Sequence, residues 1–467
     1  MLRRRLSALI VVVLIASVAV ASPSHAAGTA PRSIALLALN SGQENNLGLA
    51  SARYAYVVVQ QNRHDLVPAI QNSGAKAYMY LNAGSTAIRS DCKAPYYPYD
   101  ETSYAFGVDY CWAWHYHRDW FLNLRLCTTG EAVSCVFISP AQYSDYAVAA
   151  MDMGNPGYQK WWGDDAVYAA RAYAEHFDGV YLDDVNTYPG HGLSQTATQS
   201  LWSSREGAIS DEMYGDDVVS FIANVGTKLA TNQLSSIANV AVNPWNYPPY
   251  TTELAQVDAM APHLTAVNRE FFSQWYSDDP PADPNNRECG PYRKMSLAEI
   301  QAMQAYAARV QGDGTGFTSL DYASKTWQSP RDLTIMSFSR ASFLLSWNGN
   351  PASASLIRPC GDVAPADPHW TTELGLPTGA TRTLGQLLIR TFDDGVVIQN
   401  QGTTPCTVML DGNYVDQDGT TWTRTKPVTL PGASTGGGTD STPGTAKLLT
   451  KTTAMSSPPP TLSGTCQ

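Results

Sequence analysis

Eight short, β-rich apolar runs alternate with stretches of helical periodicity, and this alternation limits the possible folds more than any other feature of the chain. The runs are Ser33 to Asn40, Tyr54 to Gln60, Lys76 to Asn82, Gly179 to Asp184, Ile237 to Asn243, Leu264 to Glu270, Phe317 to Tyr322 and Ala352 to Ile357. Strands that alternate with helices form parallel sheets with crossover connections, and eight such strands can close into a barrel. Tyr158 to His176, Asp216 to Thr231, Ser296 to Val310 and Pro330 to Trp347 carry apolar residues near a 3.6 period, with Ser296 and Glu299 placed as a capping box. The expected fold is therefore an α/β (β/α)8 TIM barrel over residues 27–383.

Two segments break the rhythm, and both follow strands, which assigns them to the C-terminal rim. The first, residues 84–151, contains four cysteines and the aromatic run CWAWHYHRDWF. A loop of this length is expected to be stapled or functional. The second, Tyr276 to Arg293, is rich in Pro, Asp and Asn and holds Cys289. From Leu384 the pattern changes to alternating strands with Asp394-Gly395 and Asp418-Gly419 turn signals, which predicts a small antiparallel β domain over residues 384–432. Residues 433–467, rich in Gly, Ser, Thr and Pro, read as a mobile tail.

Arg3, Arg4 and Arg5, an apolar run from Ala8 to Ala21 and the small-x-small site Ser24-His25-Ala26 predict a signal peptide over residues 1–26 and hence a secreted protein. The formal net charge of -11 includes those three arginines, so the remaining chain is more acidic still. Such a balance disfavours nucleic acid and anionic membranes and favours a neutral or cationic substrate. The 8 cysteines include no CxxC pair, which in an exported chain points to disulfides. Proximity suggests Cys92 with Cys111, Cys127 with Cys135, Cys289 with Cys360 and Cys406 with Cys466. The 12 Trp and 25 Tyr suit core packing and stacking on sugar faces alike.

Glycoside cleavage requires a proton donor at the leaving oxygen and a second carboxylate on the other side of the sugar ring. The fourth strand ends in Asp183 and Asp184, and alternation allows only one of them to point along the barrel axis. Asp183 is the favoured reactive group, with Asp184 and Asn186 shaping the site and Asp178 assigned to a turn or cap. The sixth strand ends in Glu270, where an apolar environment suits a general acid, although neighbouring Arg269 also permits a salt-bridged rim residue. Tyr80 and Asn82, Asn243 and Trp245, and Asp321 and Tyr322 close strands three, five and seven and are candidate sugar ligands. No GxSxG elbow, Walker loop, HExxH or dinucleotide fingerprint is present. His115 and His117 form an HxH pair without an evident third ligand, so no metal and no cofactor is expected.

The segments YMYLNAG, MDMGNPGYQKWW, FDGVYLDDV and FDDGVVIQN resemble the bacterial hypothetical glycosyl hydrolase family 15, a TIM-barrel group. The FDG and LDD pattern is also similar to endo-α-1,4-polygalactosaminidase-like barrels. In those relatives the proposed catalytic pair is an Asp ending strand four and a Glu ending strand six, which the resemblance carries onto Asp183 and Glu270. It implies a glycosidase acting on a carbohydrate polymer. The long cysteine-bearing insertion departs from the pattern and leaves the substrate open. The leading expectation is a secreted, monomeric glycoside hydrolase; the alternative is a non-catalytic carbohydrate-binding or cell-surface protein on the same scaffold. A Glu270 turned outward or locked to Arg269 would favour the alternative.

Overall fold

The computed structural model describes residues 32–89, 92–98, 107–123, 138–139, 148–188, 201–242, 250–276, 292–295, 297–323, 329–359, 367–433, 444–452 and 463–466. The expected leader lies outside the described residues. Eight parallel strands close into a barrel: β1 (Ile34–Leu37), β2 (Tyr56–Gln60), β3 (Lys76–Asn82), β4 (Gly179–Asp183), β5 (Ser235–Asn239), β6 (Ala266–Glu270), β7 (Gly316–Ala323) and β8 (Ala354–Pro359). Each strand pairs with its sequence neighbours, and β1 pairs with β8 to complete the ring. Every residue of β1 and β7 is buried, as expected for strands covered on both faces, which is why they read as nearly continuous apolar runs.

All eight expected runs form barrel strands, with one informative shift. β5 ends at Asn239, short of the expected Asn243. The amide of Ala241 donates to the side-chain Oδ1 of Asn186 at 2.8 Å, so the backbone leaves the ladder soon after Asn239. The shift changes which side chain from this strand reaches the barrel mouth.

Helices cover the outside, and local chemistry sets where they begin. Helices α1 (Val67–Asn72) and α2 (Tyr110–Tyr116) are short, and Asp109 caps α2 by accepting from the Trp112 amide. Helix α3 (Pro156–Arg171) begins at Pro156 because Asn155 accepts from the amides of Gly157 and Tyr158. Ser210 caps α4 (Asp211–Thr231), which starts earlier than the expected Asp216, with Asp211 and Glu212 in the favourable first turn. Helices α5 (Tyr250–Met260), α6 (Leu297–Gly312) and α7 (Pro330–Ser346) complete the outer layer. Ser296, the cap residue of the expected capping box, lies outside the described residues.

The insertion after β3 contains α2 and a three-stranded sheet of Ser85–Ala87, Val148–Ala150 and Ile138–Ser139. The Cys92–Cys111 disulfide ties its first segment to α2. After β6, Gln274–Tyr276 pairs antiparallel with Tyr292–Lys294. Cys127, Cys135, Cys289 and Cys360 lie outside the described residues.

The C-terminal part forms antiparallel sheets, and Cys406 is bonded to Cys466. The loop joining Leu387–Phe392 to Gly395–Asn400 is Asp393-Asp394, so Gly395 already belongs to the second strand, paired with Phe392. At the other expected turn Gly419 takes φ +77°, a conformation that favours glycine. The region read as a mobile tail supplies Thr445–Lys451, which lies between Gly395–Asn400 and Tyr414–Val415 in a six-stranded sheet. Consecutive Leu448 and Leu449 point to opposite faces, and both are fully buried. Leu448 joins the core of the barrel, and Leu449 joins the separate core of the appendage around Ile389, Val396 and Ile398. The surrounding Gly, Ser, Thr and Pro residues conceal this strand in the sequence.

The appendage also rests on α7 through polar contacts, since Gln399 donates to the Phe338 carbonyl at 3.1 Å and to Ser342 Oγ at 2.7 Å. Leu448→Ala is expected to cost about 2–5 kcal/mol of folding stability. Chemical denaturation of the variant and the parent chain measures this directly, and an unchanged midpoint would contradict the placement of Leu448 in the barrel core.

Candidate active site

Parity along the strands determines which residues meet at the mouth of the barrel. On β6, Asn268 and Glu270 face inward and Arg269 faces outward; on β4, Tyr181 and Asp183 face inward. The inward residues of β7 include Thr318 and Tyr322. These assignments bring Asp183 and Glu270 together across β5, although the two residues are far apart in sequence.

Asn239 joins them. Its Nδ2 donates to Asp183 Oδ1 at 2.7 Å and to Glu270 Oε2 at 2.9 Å, so these two oxygens lie at most about 5.6 Å apart. Asp183 accepts two further hydrogen bonds, from the Tyr80 hydroxyl at Oδ2 and from the Asp184 amide at Oδ1. Glu270 Oε1 accepts from the Tyr322 hydroxyl. Both carboxylates therefore have donors on each oxygen, the arrangement required to hold two negative groups close together.

The chain turns sharply just after each carboxylate. Asp184 and Phe271 have φ of 54° and 55°, left-handed values that are uncommon outside glycine. Strain of this kind concentrates where a site requires it. At β4 the turn points the Asp184 amide back at Asp183 and brings the Asp184 carboxyl to Asn82 Nδ2 at 2.6 Å. Gly84 accommodates the turn, because a Cβ there would meet the Asp184 carbonyl oxygen at 2.4 Å. At β6 the Phe271 ring stacks on Tyr322 with centroids 5.0 Å apart, supporting the hydroxyl that reaches Glu270.

Burial, reinforced by the Glu270 carboxylate, raises Asp183 above the ordinary carboxylate range, while Tyr80, Asn239 and the Asp184 amide oppose the shift by favouring the charged form. Burial and the adjacent Asp183 push Asp184 up to about 8, only partly offset by Asn82. Asp184 is thus mainly neutral at pH 7 and contributes shape and hydrogen bonding more than charge.

The other expected site residues divide clearly. Tyr80, Asn82, Asp184 and Tyr322 surround the pair. Asn186 is buried and ties the segment after β4 to Ala241. Asp321 does not face the mouth: with odd parity on β7 it points outward and accepts from the Ser273 amide at 3.1 Å and the Ser273 hydroxyl at 2.9 Å. Asn243 and Trp245 lie outside the described residues. Asp178 accepts from the Ala77 amide at 2.8 Å at the opposite end of the barrel, consistent with its assignment to a turn or cap. Arg269 is fully buried, and its guanidinium donates to the backbone oxygen of Glu270, leaving the carboxylate turned inward. His115 stacks on Tyr96 and His117 on Trp120 within the insertion.

Asn239, Asn268, Thr318 and Tyr181 were not anticipated from the sequence. A polar residue within IANVAV, in phase with Ile237, is the available signal for Asn239, but the apolar run continues past it to the expected end at Asn243. Asn268 Nδ2 donates to Asn239 Oδ1 at 2.8 Å and to the Tyr181 hydroxyl at 2.9 Å, and Asn268 Oδ1 accepts from Thr318 Oγ1 at 2.8 Å. These buried polar groups satisfy one another beneath the carboxylates.

Two carboxylates facing each other at the C-terminal mouth of a closed eightfold barrel present the pair of groups that glycoside cleavage requires. The chain is a member of the hypothetical glycosyl hydrolase family 15, whose model matches residues 71–396. No curated protein matches it. Among solved structures it is similar to the glycoside hydrolase domain of PelA from Pseudomonas aeruginosa, with 12% identity over 71% of this chain and 96% of that one and a TM-score of 0.40. It is also similar to Amy13B from Eubacterium rectale, with 8% identity over 91% of this chain and 97% of that one and a TM-score of 0.44. An α-galactosidase from Thermus thermophilus shows 10% identity over 78% of this chain and 65% of that one, with a TM-score of 0.40.

The raised Asp184 predicts a pH-dependent contribution to stability. A carboxyl held above its unfolded value of 3.8 stabilises the fold fully below that pH, and the contribution is lost as pH rises towards about 8. The melting temperature of Asp184→Asn relative to the parent should therefore increase between about pH 4 and 8 and level off above that range. Thermal unfolding of both proteins across this range is the test; a constant difference would contradict the raised value.

Proposed function

We propose that this chain is a secreted glycosidase that cleaves a carbohydrate polymer by double displacement, with Asp183 as nucleophile and Glu270 as general acid and base. The observation that carries this reading is the shared Asn239 amide. It holds the nearest carboxylate oxygens within about 5.6 Å of each other. Retaining glycosidases have carboxyl groups about 5–5.5 Å apart and inverting ones roughly 6.5–9.5 Å; two carboxylates bonded to one amide nitrogen favour the shorter arrangement. The three donors to Asp183 favour its charged form, the form that attacks, against the opposing effects of burial and Glu270.

In the first step Asp183 attacks the anomeric carbon while the glycosidic bond breaks, and the Glu270 proton passes to the departing oxygen. A glycosyl ester forms on Asp183. In the second step Glu270, now a carboxylate, removes a proton from water as the water oxygen attacks the same carbon and releases Asp183. Two inversions at one carbon return the original anomeric configuration. Tyr80 and Tyr322 orient the carboxylates, and Asn243 and Trp245 serve in this reading as a hydroxyl ligand and a stacking ring beyond β5.

The inward orientation of Glu270 favours catalysis over binding alone. The acidic chain favours a neutral or de-N-acetylated, cationic polymer. The Cys92–Cys111 and Cys406–Cys466 disulfides support export to an oxidising compartment.

The test is a hydrolysis screen over amino-sugar, galactan, arabinan and glucan polymers. With the substrate identified, Asp183→Asn and Glu270→Gln should each lower kcat by at least about 100-fold, the usual scale for loss of a catalytic acid, base or nucleophile. The first-formed product, followed by proton NMR, should keep the anomeric configuration of the substrate. Unchanged hydrolysis in both variants would exclude the pair, and an inverted product would exclude double displacement.

A further inference from the structure

An amide nitrogen and a phenolic hydroxyl differ in a way that matters for a carboxylate pair. The amide nitrogen of Asn239 donates hydrogen bonds and has no lone pair available to accept one, whereas the hydroxyls of Tyr80 and Tyr322 can donate or accept. The Asn239 nitrogen faces Asp183 Oδ1 and Glu270 Oε2, and the two hydroxyls face Asp183 Oδ2 and Glu270 Oε1. A proton on either oxygen facing the amide would oppose an N–H group. A proton on the other oxygens needs only a rotation of the tyrosine hydroxyl.

We infer that Asn239, held by Asn268, is a positioning residue that keeps the two facing oxygens as acceptors and so directs the acid proton to Glu270 Oε1, beside Tyr322. The inference rests on the glycosidase reading for its mechanistic meaning but not for its test. Asn268 acts through Asn239: it donates to Asn239 Oδ1 at 2.8 Å, which leaves the nitrogen as the end presented to the carboxylates. Its second hydrogen is bound to Tyr181, and its oxygen accepts from Thr318, so both ends of its amide are engaged. Asn268 and Thr318 are fully buried, and Asn239 nearly so.

Each neighbouring element contributes a group that can influence this titration. Tyr80 comes from β3, Tyr181 from β4, Asp184 from the turn after it, Tyr322 from β7, and Arg358 from β8, its guanidinium 5.8 Å from the Tyr322 ring. Asn239 bonds to both carboxylates.

The experiment is a titration of the Asp183 and Glu270 carboxyl carbons by carbon-13 NMR, assigned with Asp183→Asn and Glu270→Gln, in the full chain. Asn239→Leu removes the shared donor at nearly constant volume and should raise the titration of the pair by at least about one pH unit, the scale of a lost hydrogen bond to a charged group. Asn268→Leu should move it in the same direction by less, because the Asn239 amide becomes free to turn its oxygen towards the pair. If Asn268→Leu does not fold, Thr318→Val takes its place, with the same direction expected, while Thr318→Ser keeps the hydroxyl and should titrate as the parent does. With a cleavable glycan, the acidic limb of the kcat/KM profile should shift in parallel. Titrations unmoved in Asn239→Leu, or activity lowered equally at every pH, would overturn the inference. Failure to find any hydrolysed glycan would overturn the proposed function and leave the NMR result to stand by itself.

Discussion

The constraint on which the site depends is the twofold alternation of side chains along strands closed into a ring. In an open sheet, a side chain on one strand meets only its near neighbours. Closure turns every second residue of all eight strands towards a common axis, so Asp183 on β4, Asn239 on β5, Glu270 on β6 and Tyr322 on β7 share a small volume at one end. The same rule turns Arg269 and Asp321 away, each next in sequence to an inward-facing residue. A one-residue slip of β6 would turn Glu270 outward and Arg269 inward.

Two carboxylates brought together in this way repel each other, and the surrounding residues are arranged to limit that cost. Hydroxyls from β3 and β7, an amide from β5 and the backbone amide just after β4 are directed at the four oxygens. Beneath them, Asn268, Tyr181 and Thr318 use polar atoms that would otherwise be expensive to bury. Left-handed turns at Asp184 and Phe271 place the chain where those donors are needed. Stability is thus given up locally to hold charge in place, and the fully buried strands of the barrel support it.

The parts outside the barrel follow a different logic. The aromatic insertion has a disulfide to constrain α2 and rings packed from Tyr96 through Trp112 to Trp161. The appendage has a core of its own, and it also shares residues with the barrel: Val397 and Leu448 belong to the barrel core, while Val396, Ile398 and Leu449 belong to the appendage core. One strand pair with side chains on both faces thereby joins two hydrophobic clusters. Gln399 and Arg390 add hydrogen bonds to α7 across the same boundary.

The barrel was legible in the sequence because its strands are buried on both faces and separated by helices, a pattern that depends only on local composition. Asp183 and Glu270 were legible as carboxylates ending two such runs, and Cys92–Cys111 and Cys406–Cys466 followed from proximity along the chain and in the expected loops. Asn239 was missed because the VAVN continuation is as apolar as the strand itself, while in the fold the Ala241 amide turns to Asn186 on another strand's loop. Asp321 was misplaced because a one-residue difference in parity cannot be read from an apolar run. Thr445–Lys451 was hidden by the composition around it. The sequence by itself determined the number and order of the strands and which of them end in acids, since these depend on residues near one another in the chain. Only the tertiary structure decided which acids share a donor, because closure of the ring brings together residues from β3 to β7 and local patterns contain no information about that distance.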